Sequence, residues 1–557
     1  MVRKVFNIMY QEVRGLHRAA YVLAIFAFGS QLLALLRDRL LAHEFGADAT
    51  LDIYYAAFRV PDLLFVLFAS TLSVYVLIPF VTRTTEQSGG DSARHLLSQI
   101  FSLFLMFYTA VALTAFFLAP YILPLLFPGI VDHGLLVTVS RILLLQPLFL
   151  GLSSLLGVVT QLSHRFVLYA VSPLIYNLGI ILGILIFYPT FGLSGLVFGV
   201  VLGALGHMAI QWPFVWDNYL NFGFTLNFEW SRIREVLVLS VPRALTLSLN
   251  QVVLLVLISF ASLMTVGSVS VFQFAYNLQS VPLSIIGVSY SVAAFPMLAE
   301  LYAKGNREQF AVHIITALRH VIFWSLPAVA LIIVLRAQIV RVVLGSGAFD
   351  WADTRLTAAV LALLSLALLA QAVNLLVIRA FYAGGKTRMP FYITLVGSLF
   401  AVLSSYGFYV VYQAHSEIHT FVSAFMRLEN VIGSEVLSIA FGYALAVVAQ
   451  AVLLVVALRI YFDLPLLWMW RSLVQAFCAA IVGGVSAYGT LNFIVGGIDQ
   501  ETFIGIFIQG VIAGVVGIAG VVLTYAYFRS LELHEVFTSF QRRLLKTDVV
   551  APQEEII

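Results

Sequence analysis

The sequence predicts an all-α polytopic membrane protein of about fourteen transmembrane helices, built as two parallel-repeat six-helix lobes around a central cavity, with two further helices after them. Composition, the recurrence of long apolar runs and a weak internal repeat carry that prediction. Of the 557 residues, 61% are hydrophobic and 10% charged, against about 25% charged in soluble chains. Apolar runs such as VLVLSVPRALTLSLNQVVLLVLISFA and FIGIFIQGVIAGVVGIAGVVLTYAYF are long enough to cross a hydrocarbon core of about 30 Å. They show no strict two-residue alternation, which argues against a β-barrel, and a backbone in lipid must satisfy its own hydrogen bonds, which makes them helices.

Polar, charged and Gly/Pro punctuation divides the chain into fourteen segments starting near residues 18, 51, 94, 134, 168, 193, 233, 270, 308, 353, 389, 432, 470 and 502. With the N-terminus in the cytoplasm, the inner flanks collect most basic residues, among them Arg3, Lys4, Arg83, Arg94, Arg165, Arg232, Arg234, Lys304, Arg307, Lys386, Arg388, Arg459, Arg471 and Arg529. The outer flanks hold only Arg336, Arg341, Arg355 and Arg427. That bias places both termini in the cytoplasm. The basic first residues precede no short apolar region with a cleavage site, so no cleaved signal peptide is expected. A single cysteine, Cys478, excludes an intrachain disulfide. The longest outer connection, roughly residues 413–431, is expected to form a short surface helix; His415 and His419 there lack a clear third ligand, so a solvated loop is preferred to a metal site.

The repeat appears when Phe58 is set on Tyr276, an offset of 218 residues; Ala69 then meets Gly287 and Ser73 meets Ser291. An offset of 223 places His164 over Thr387. Both pairs keep one orientation, as in lobes related by an axis along the membrane normal, with substrate held between them. The expected organisation is an N-terminal cytoplasmic segment 1–17, an N-lobe 18–216, a linker 217–232, a C-lobe 233–460, two further helices within 461–530 and a cytoplasmic tail 531–557. Gly510, Gly514, Gly517 and Gly520 lie near one face of the last helix, where helix packing is preferred to a ligand contact.

Seven arginines remain inside helices once the flanks are assigned: Arg37, Arg39, Arg59, Arg141, Arg243, Arg319 and Arg379. Each costs about 2.5–3.5 kcal/mol at the bilayer centre, so each needs a partner, water or a purpose. Arg141, Arg319 and Arg379 lie close to helix ends and are read as snorkelling to the headgroups. Arg37 and Arg39 flank Asp38, and the next segment brings Asp52, Arg59 and Asp62 around Pro61. Segment seven adds Arg243, Asn250 and Gln251, with Arg243 and Asn250 on one helical face. This pattern predicts a cationic, water-filled cavity for an anion, since a guanidinium donates two parallel hydrogen bonds to phosphate. No Walker loop is present, so ATP is not the energy source within this chain. No polar loop carries a catalytic constellation, which excludes a lipid-sugar transferase, and the reading is a transporter, not an enzyme.

The run LLALLRDRLLAHEFGADATLDIYYAAFRVPDLL from Leu32 resembles the signature of the MurJ (MviN) family of lipid II flippases, in the multidrug/oligosaccharidyl-lipid/polysaccharide exporter superfamily. The resemblance continues through HRFVLYAVSPLIYNLG at His164, PRALTLSLNQ at Pro242, NLQSVPLSIIGVSYSVAAFPMLAE at Asn277 and FYAGGKTRMP at Phe381. It implies export of lipid II, an undecaprenyl-diphosphate-linked peptidoglycan precursor, from the inner to the outer leaflet of the bacterial cytoplasmic membrane. It also implies a groove at the last two helices for the polyprenyl tail. Arg37 and Asp52 match the family pattern, whereas Gln31, Phe65 and Asn277 stand where arginines are expected. The expected substrate site is therefore Arg37, Arg39, Asp52, Arg59, Asp62, Arg243, Asn250, Gln251 and Asn277. Expected partners are lipid II or a related polyprenyl-diphosphate glycan, membrane lipids and cell-wall synthesis proteins, with no nucleic acid. No cofactor is identified, and a coupling ion is left unnamed. A flippase for another polyprenyl-diphosphate glycan and a cation-coupled exporter of the same superfamily remain as alternatives.

Overall fold

A computed structural model of the chain describes residues 16–69, 74–218, 220–495, 497 and 502–544. The expected N-terminal segment before residue 16 and the tail beyond residue 544 lie outside the described residues. Among the described residues the fold is helical, with no strand.

Helix α1 (Leu16–Phe45) carries Arg37, Asp38 and Arg39 near its end. Asp48 accepts the Leu51 backbone N–H at 2.8 Å and starts α2 (Ala49–Ala57), the usual way a carboxylate satisfies a free helix-end donor. There follow α3 (Arg59–Ala69), α4 (Val74–Ser88), α5 (Gly90–Leu126), α6 (His133–Leu143), α7 (Leu145–Leu162), α8 (Phe166–Leu182), α9 (Tyr188–Ala209) and α10 (Trp212–Trp216). After an extended stretch come α11 (Trp230–Ser262), α12 (Ser268–Leu283), α13 (Ser289–Ala303), α14 (Arg307–Leu344), α15 (Trp351–Leu366), α16 (Leu368–Ala383) and α17 (Arg388–Ala414). The expected outer surface helix is α18 (Ser416–Met426), and α19 (Val436–Phe462), α20 (Trp470–Gly489), α21 (Phe503–Tyr527) and α22 (Leu531–Leu544) complete the chain.

Ten stretches among the described residues are long and apolar enough to cross a membrane, or eleven if α15 and α16, bent by 42° at their break, form one span. The expected count of fourteen is not confirmed. The segments near residues 18 and 51 are helical, as α1 and as α2 to α4, but are not among the ten. Phe166–Trp216 passes as one 51-residue stretch although Gly192, at φ 60°, breaks its helical backbone.

Two compact units make up the chain. The first holds residues up to 278 with 343–364 and 387–450. Its core joins α4, α5 and α7 through Leu77, Val81, Leu97, Phe104, Tyr108, Leu155 and Val159. In the same unit α8 and α9 meet backbone to backbone. A Cβ at Gly179 would lie 2.3 Å from Gly203 Cα, and one at Gly199 2.3 Å from Gly183 Cα. In lipid, where apolar surface gains little by leaving the solvent, such close approach supplies the packing energy.

The second unit holds 279–342, 365–386 and residues from 451 onward. Ile322 and Phe323 of α14, Ala476 and Ala479 of α20, and Val521 and Tyr525 of α21 form its core, against which Leu533 and Val536 of α22 pack. Gly517 lies against Leu331, Ala487 and Gly483, and Gly510 against Gln338, so the glycines of α21 serve helix packing. Arg319 does not snorkel. Its guanidinium meets Glu532 at 2.8 Å, and Ser472 and Ser530 donate to the same carboxylate at 2.5 and 2.6 Å. Glu532 is only 2% exposed, so the start of the expected tail is a docked helix, tied to α14 and α20. Burial alone would raise the Glu532 pKa. Hydrogen bonds from Ser472, Ser530 and its own backbone amide, with Arg319 alongside, overcome that and hold it at about 2.

Two outcomes follow. Gly199→Val forces a side chain into the Gly183 backbone, an overpacking cost of about 1–3 kcal/mol, and lowers the melting temperature. Gly407→Ala, which meets open space, does not; equal melting of the two variants contradicts the packing account. Because the Glu532 pKa is depressed, its contribution is full above its unfolded value and is lost as pH falls toward about 2. The protection of α22 amides, taken relative to their intrinsic exchange rate at each pH, should therefore be steady from neutral pH to about pH 5 and fall below it. Glu532→Gln should exchange faster at neutral pH, with this acid dependence gone.

Candidate functional site

The candidate site lies wholly in the first unit, where α12 presents a polar stripe to α1, α2 and α3. Ser270, Gln273 and Asn277 fall at i, i+3 and i+7, one face of a helix. Each meets a charged group. Asp52, buried in α2, accepts the Gly267 N–H at 2.7 Å, the Ser270 N–H at 2.8 Å and the Ser270 hydroxyl at 2.6 Å. The carboxylate thus caps the N-terminus of a helix distant in sequence, where free N–H groups favour negative charge. Arg59, buried at the start of α3, donates through Nη2 to Gln273 Oε1 at 2.8 Å and through Nε to the Tyr55 carbonyl at 3.1 Å. Asn277 donates to Asp38 Oδ2 at 3.1 Å and accepts from Gln273 Nε2 at 2.6 Å.

Asp38 in turn holds Arg37. The guanidinium donates to Asp38 Oδ1 through Nε at 2.9 Å and Nη2 at 2.8 Å, and through Nη1 to Asn177 Oδ1 of α8 at 3.2 Å. One continuous network therefore runs from Asn177 through Arg37, Asp38, Asn277 and Gln273 to Arg59. Two cations and one carboxylate share it, joined by neutral amides.

Of the residues expected from sequence, the network includes Arg37, Arg59 and Asn277, with Asp52 anchoring the same helix face. Asp62 lies one turn from Arg59, within electrostatic reach, but makes none of these bonds. Arg39 turns the other way, donating to the Val343 carbonyl at 3.3 Å in the last turn of α14, where a cation suits the helix end. Asn250 is exposed on α11 and Gln251 half-buried, and neither reaches the network. The side chain of Arg243, also on α11, lies outside the described residues. Sequence reasoning missed Asp38 as the central acceptor, and Ser270, Gln273 and Asn177. The i, i+3, i+7 spacing was the available signal for two of them. His419 points its Nε2 at Ser434 Oγ, 3.2 Å away, and no group of three metal-ligating side chains occurs among the described residues.

The turn before α12 is interlocked with its neighbours. Gly267, at φ 91°, lets it pass where a Cβ would lie 2.2 Å from the Ala47 carbonyl oxygen, and Asp353 accepts the Ala47 N–H at 3.2 Å.

A bundle of long apolar helices that encloses a network of arginines, a carboxylate and amides has the build of a membrane transporter. The fold agrees: a solved lipid II flippase MurJ in an inward closed conformation superposes with TM-score 0.71 over 93% of this chain and 100% of that chain, at 20% identity. An inward-facing multidrug resistance MATE family transporter of the MOP superfamily gives TM-score 0.63 over 78% and 94%, at 14% identity. The profile of the family described as lipid II flippase MurJ matches residues 41–494, and the chain belongs to that family. A probable lipid II flippase MurJ from Buchnera aphidicola subsp. Acyrthosiphon pisum is 27% identical over 400 residues, covering 70% of this chain and 77% of that protein. The lipid II flippase MurJ of Burkholderia cenocepacia is 23% identical over 404 residues, covering 71% and 78%.

Asp52→Ala removes three hydrogen bonds to a charged acceptor, each worth about 1.5–3 kcal/mol, and should loosen α12 from α2. With Cys478 replaced by serine, a cysteine at the buried Ser268 should react with a maleimide several-fold faster in Asp52→Ala than in the parent. Equal rates would show that Asp52 does not hold this helix.

Proposed function

We propose that this chain is a lipid II flippase. In this reading it carries the undecaprenyl-diphosphate-linked peptidoglycan precursor from the inner to the outer leaflet of the bacterial cytoplasmic membrane by alternating access, with both termini in the cytoplasm. The lobes are residues 18–216 and 233–460, and α20 and α21 take the polyprenyl tail. The observation that carries the reading is the network itself. Arg37 and Arg59 are held by groups a diphosphate can replace, Asp38 and the amide of Gln273. Arg243 on α11 adds a third cation in this account. Family membership supports the substrate, and an anion moving outward gains about 2.3 kcal/mol per charge per 100 mV when the inside is negative. Any coupling ion, and any association with cell-wall synthesis proteins, would act on that exchange.

A second reading rests on one feature. Asn277, Gln31 and Phe65 replace arginines expected from the family pattern, which favours a related polyprenyl-diphosphate glycan with fewer anionic groups.

The deciding experiment is rescue of bacteria depleted of their own lipid II flippase, read by lipid II exposed at the outer leaflet. The wild-type chain should restore it. Arg37→Ala and Arg243→Ala, inserted at normal levels, should each lower the rate about tenfold or more, the loss of one charge-assisted hydrogen-bonding partner. No rescue by well-expressed wild type shifts the substrate to the related glycan, and full-rate transport by both variants removes the diphosphate role of these arginines.

A further inference from the structure

The second unit carries a site apart from the arginine network on which the transport reading rests, at the very start of α20. Between the end of α19 and the start of α20 lies a cavity of about 240 Å³ walled by Leu464, Pro465, Met469 and Leu473 and rimmed by Arg459 and Trp470. Its surface is mostly hydrocarbon. Trp470 is 66% exposed, and Arg459, also exposed, has no hydrogen-bond or ion-pair partner among the described residues. Asp463, four residues further on, does not pair with it.

The position in the unit is set by Phe462, whose ring meets Tyr302 at 6.2 Å, Phe310 at 5.2 Å and Phe381 at 5.5 Å. Arg459 therefore shares an end of the unit with Lys304, Arg307 and Lys386. A cluster of basic residues at one end of a helical membrane unit faces the anionic leaflet. An indole at the rim suits the headgroup level, and a guanidinium fork suits a phosphate.

We propose that this cavity binds one anionic phospholipid, its phosphate on Arg459 and the start of an acyl chain against Leu464, Met469 and Leu473. The apolar wall gives a soluble phosphate no return for entering. A zwitterionic lipid satisfies the wall, but its ammonium competes for its own phosphate and brings a further positive charge to an end of the unit that already holds Arg459, Lys304, Arg307 and Lys386. Only a lipid with a net negative headgroup matches both halves of the site.

The test uses the purified full chain in detergent, with retained lipid counted by native mass spectrometry. It is titrated with phosphatidylglycerol or with phosphatidylcholine of the same chains. Wild type should retain one phosphatidylglycerol in preference to phosphatidylcholine. Arg459→Gln should weaken that retention about tenfold, and Arg459→Lys should keep part of it. Leu473→Trp, which fills the cavity and leaves the arginine in place, should also abolish it. Arg529→Gln, at a basic residue that does not line the cavity, should behave as wild type. Equal retention by Arg459→Gln and wild type overturns the proposal. So does an equal loss in Arg529→Gln, which would mark diffuse charge attraction, or displacement of the lipid by millimolar inorganic phosphate, which would mark a phosphate site alone.

Discussion

A charge buried in an apolar helical bundle has to be met by hydrogen-bonding partners from its own protein, and the arrangement of the first unit follows from that requirement. An arginine or aspartate left alone at a bilayer centre costs about 2.5–3.5 kcal/mol. Arg37, Arg59, Asp38 and Asp52 are two charges of each sign, brought together by one helix face. Because Ser270, Gln273 and Asn277 each take a different charged partner, α12 cannot rotate or slide without leaving several of them unmet at once. The register of α1, α2 and α3 against α12 is thus fixed by polar bonds, while the surrounding apolar contacts, largely interchangeable with lipid, cannot fix it.

The bonds are not equal in strength. Asp52 takes three donors, two from the backbone of a helix N-terminus, and is the firm end of the stripe. Gln273 and Asn277 are neutral amides bonded to charged groups: the Gln273 oxygen that accepts from Arg59 is replaceable by a ligand oxygen or water, and the Asn277 N–H that donates to Asp38 by water or another donor. The stripe is therefore weakest where the amides are and strongest at Asp52. The second unit uses the same residue types to the opposite end. Glu532 takes Arg319, Ser472 and Ser530 together at 2% exposure, a saturated carboxylate with nothing left to offer a ligand. Partner saturation, not charge, separates a brace from a site.

That distinction explains what the sequence could and could not reveal. Apolar length gave the helical membrane fold, and small-residue spacing in α21 gave its packing face, because both are local properties of one segment. Arg37, Asp52, Arg59 and Asn277 stood out as polar groups in apolar surroundings. Which of them meet was not legible, since the partners are 140 to 239 residues apart for Asn177 with Arg37 and Asn277 with Asp38. Arg319 looked like any arginine near a helix end, and only the return of the C-terminal helix shows that Glu532 awaits it. Arg39 and Asn250 went the other way. Their charge or polarity drew attention, but helix rotation turns Arg39 to the Val343 carbonyl and leaves Asn250 exposed. The span count of fourteen is not confirmed for a related reason, as breaks at Phe58 and Gly192 divide or merge segments that composition alone cannot resolve.

The amide at position 277 bears most directly on what the site can hold. An arginine there would compete with Arg37 for Asp38 and leave Arg37 partly free. With asparagine, both Arg37 Nε and Nη2 close on one oxygen of Asp38 at 2.9 and 2.8 Å, so the cation is already paired, though not saturated, before any ligand arrives. A ligand must then displace a carboxylate rather than fill an empty fork. A singly charged headgroup exchanges one anion for another and gains little. A diphosphate brings more negative charge than it displaces, so under the proposed function the exchange favours it. In this chain the loss of an arginine from helix α12 therefore need not abolish recognition of a diphosphate. Under the proposed function it makes recognition depend on a competition with Asp38, a competition that would select for ligands carrying more than one negative charge.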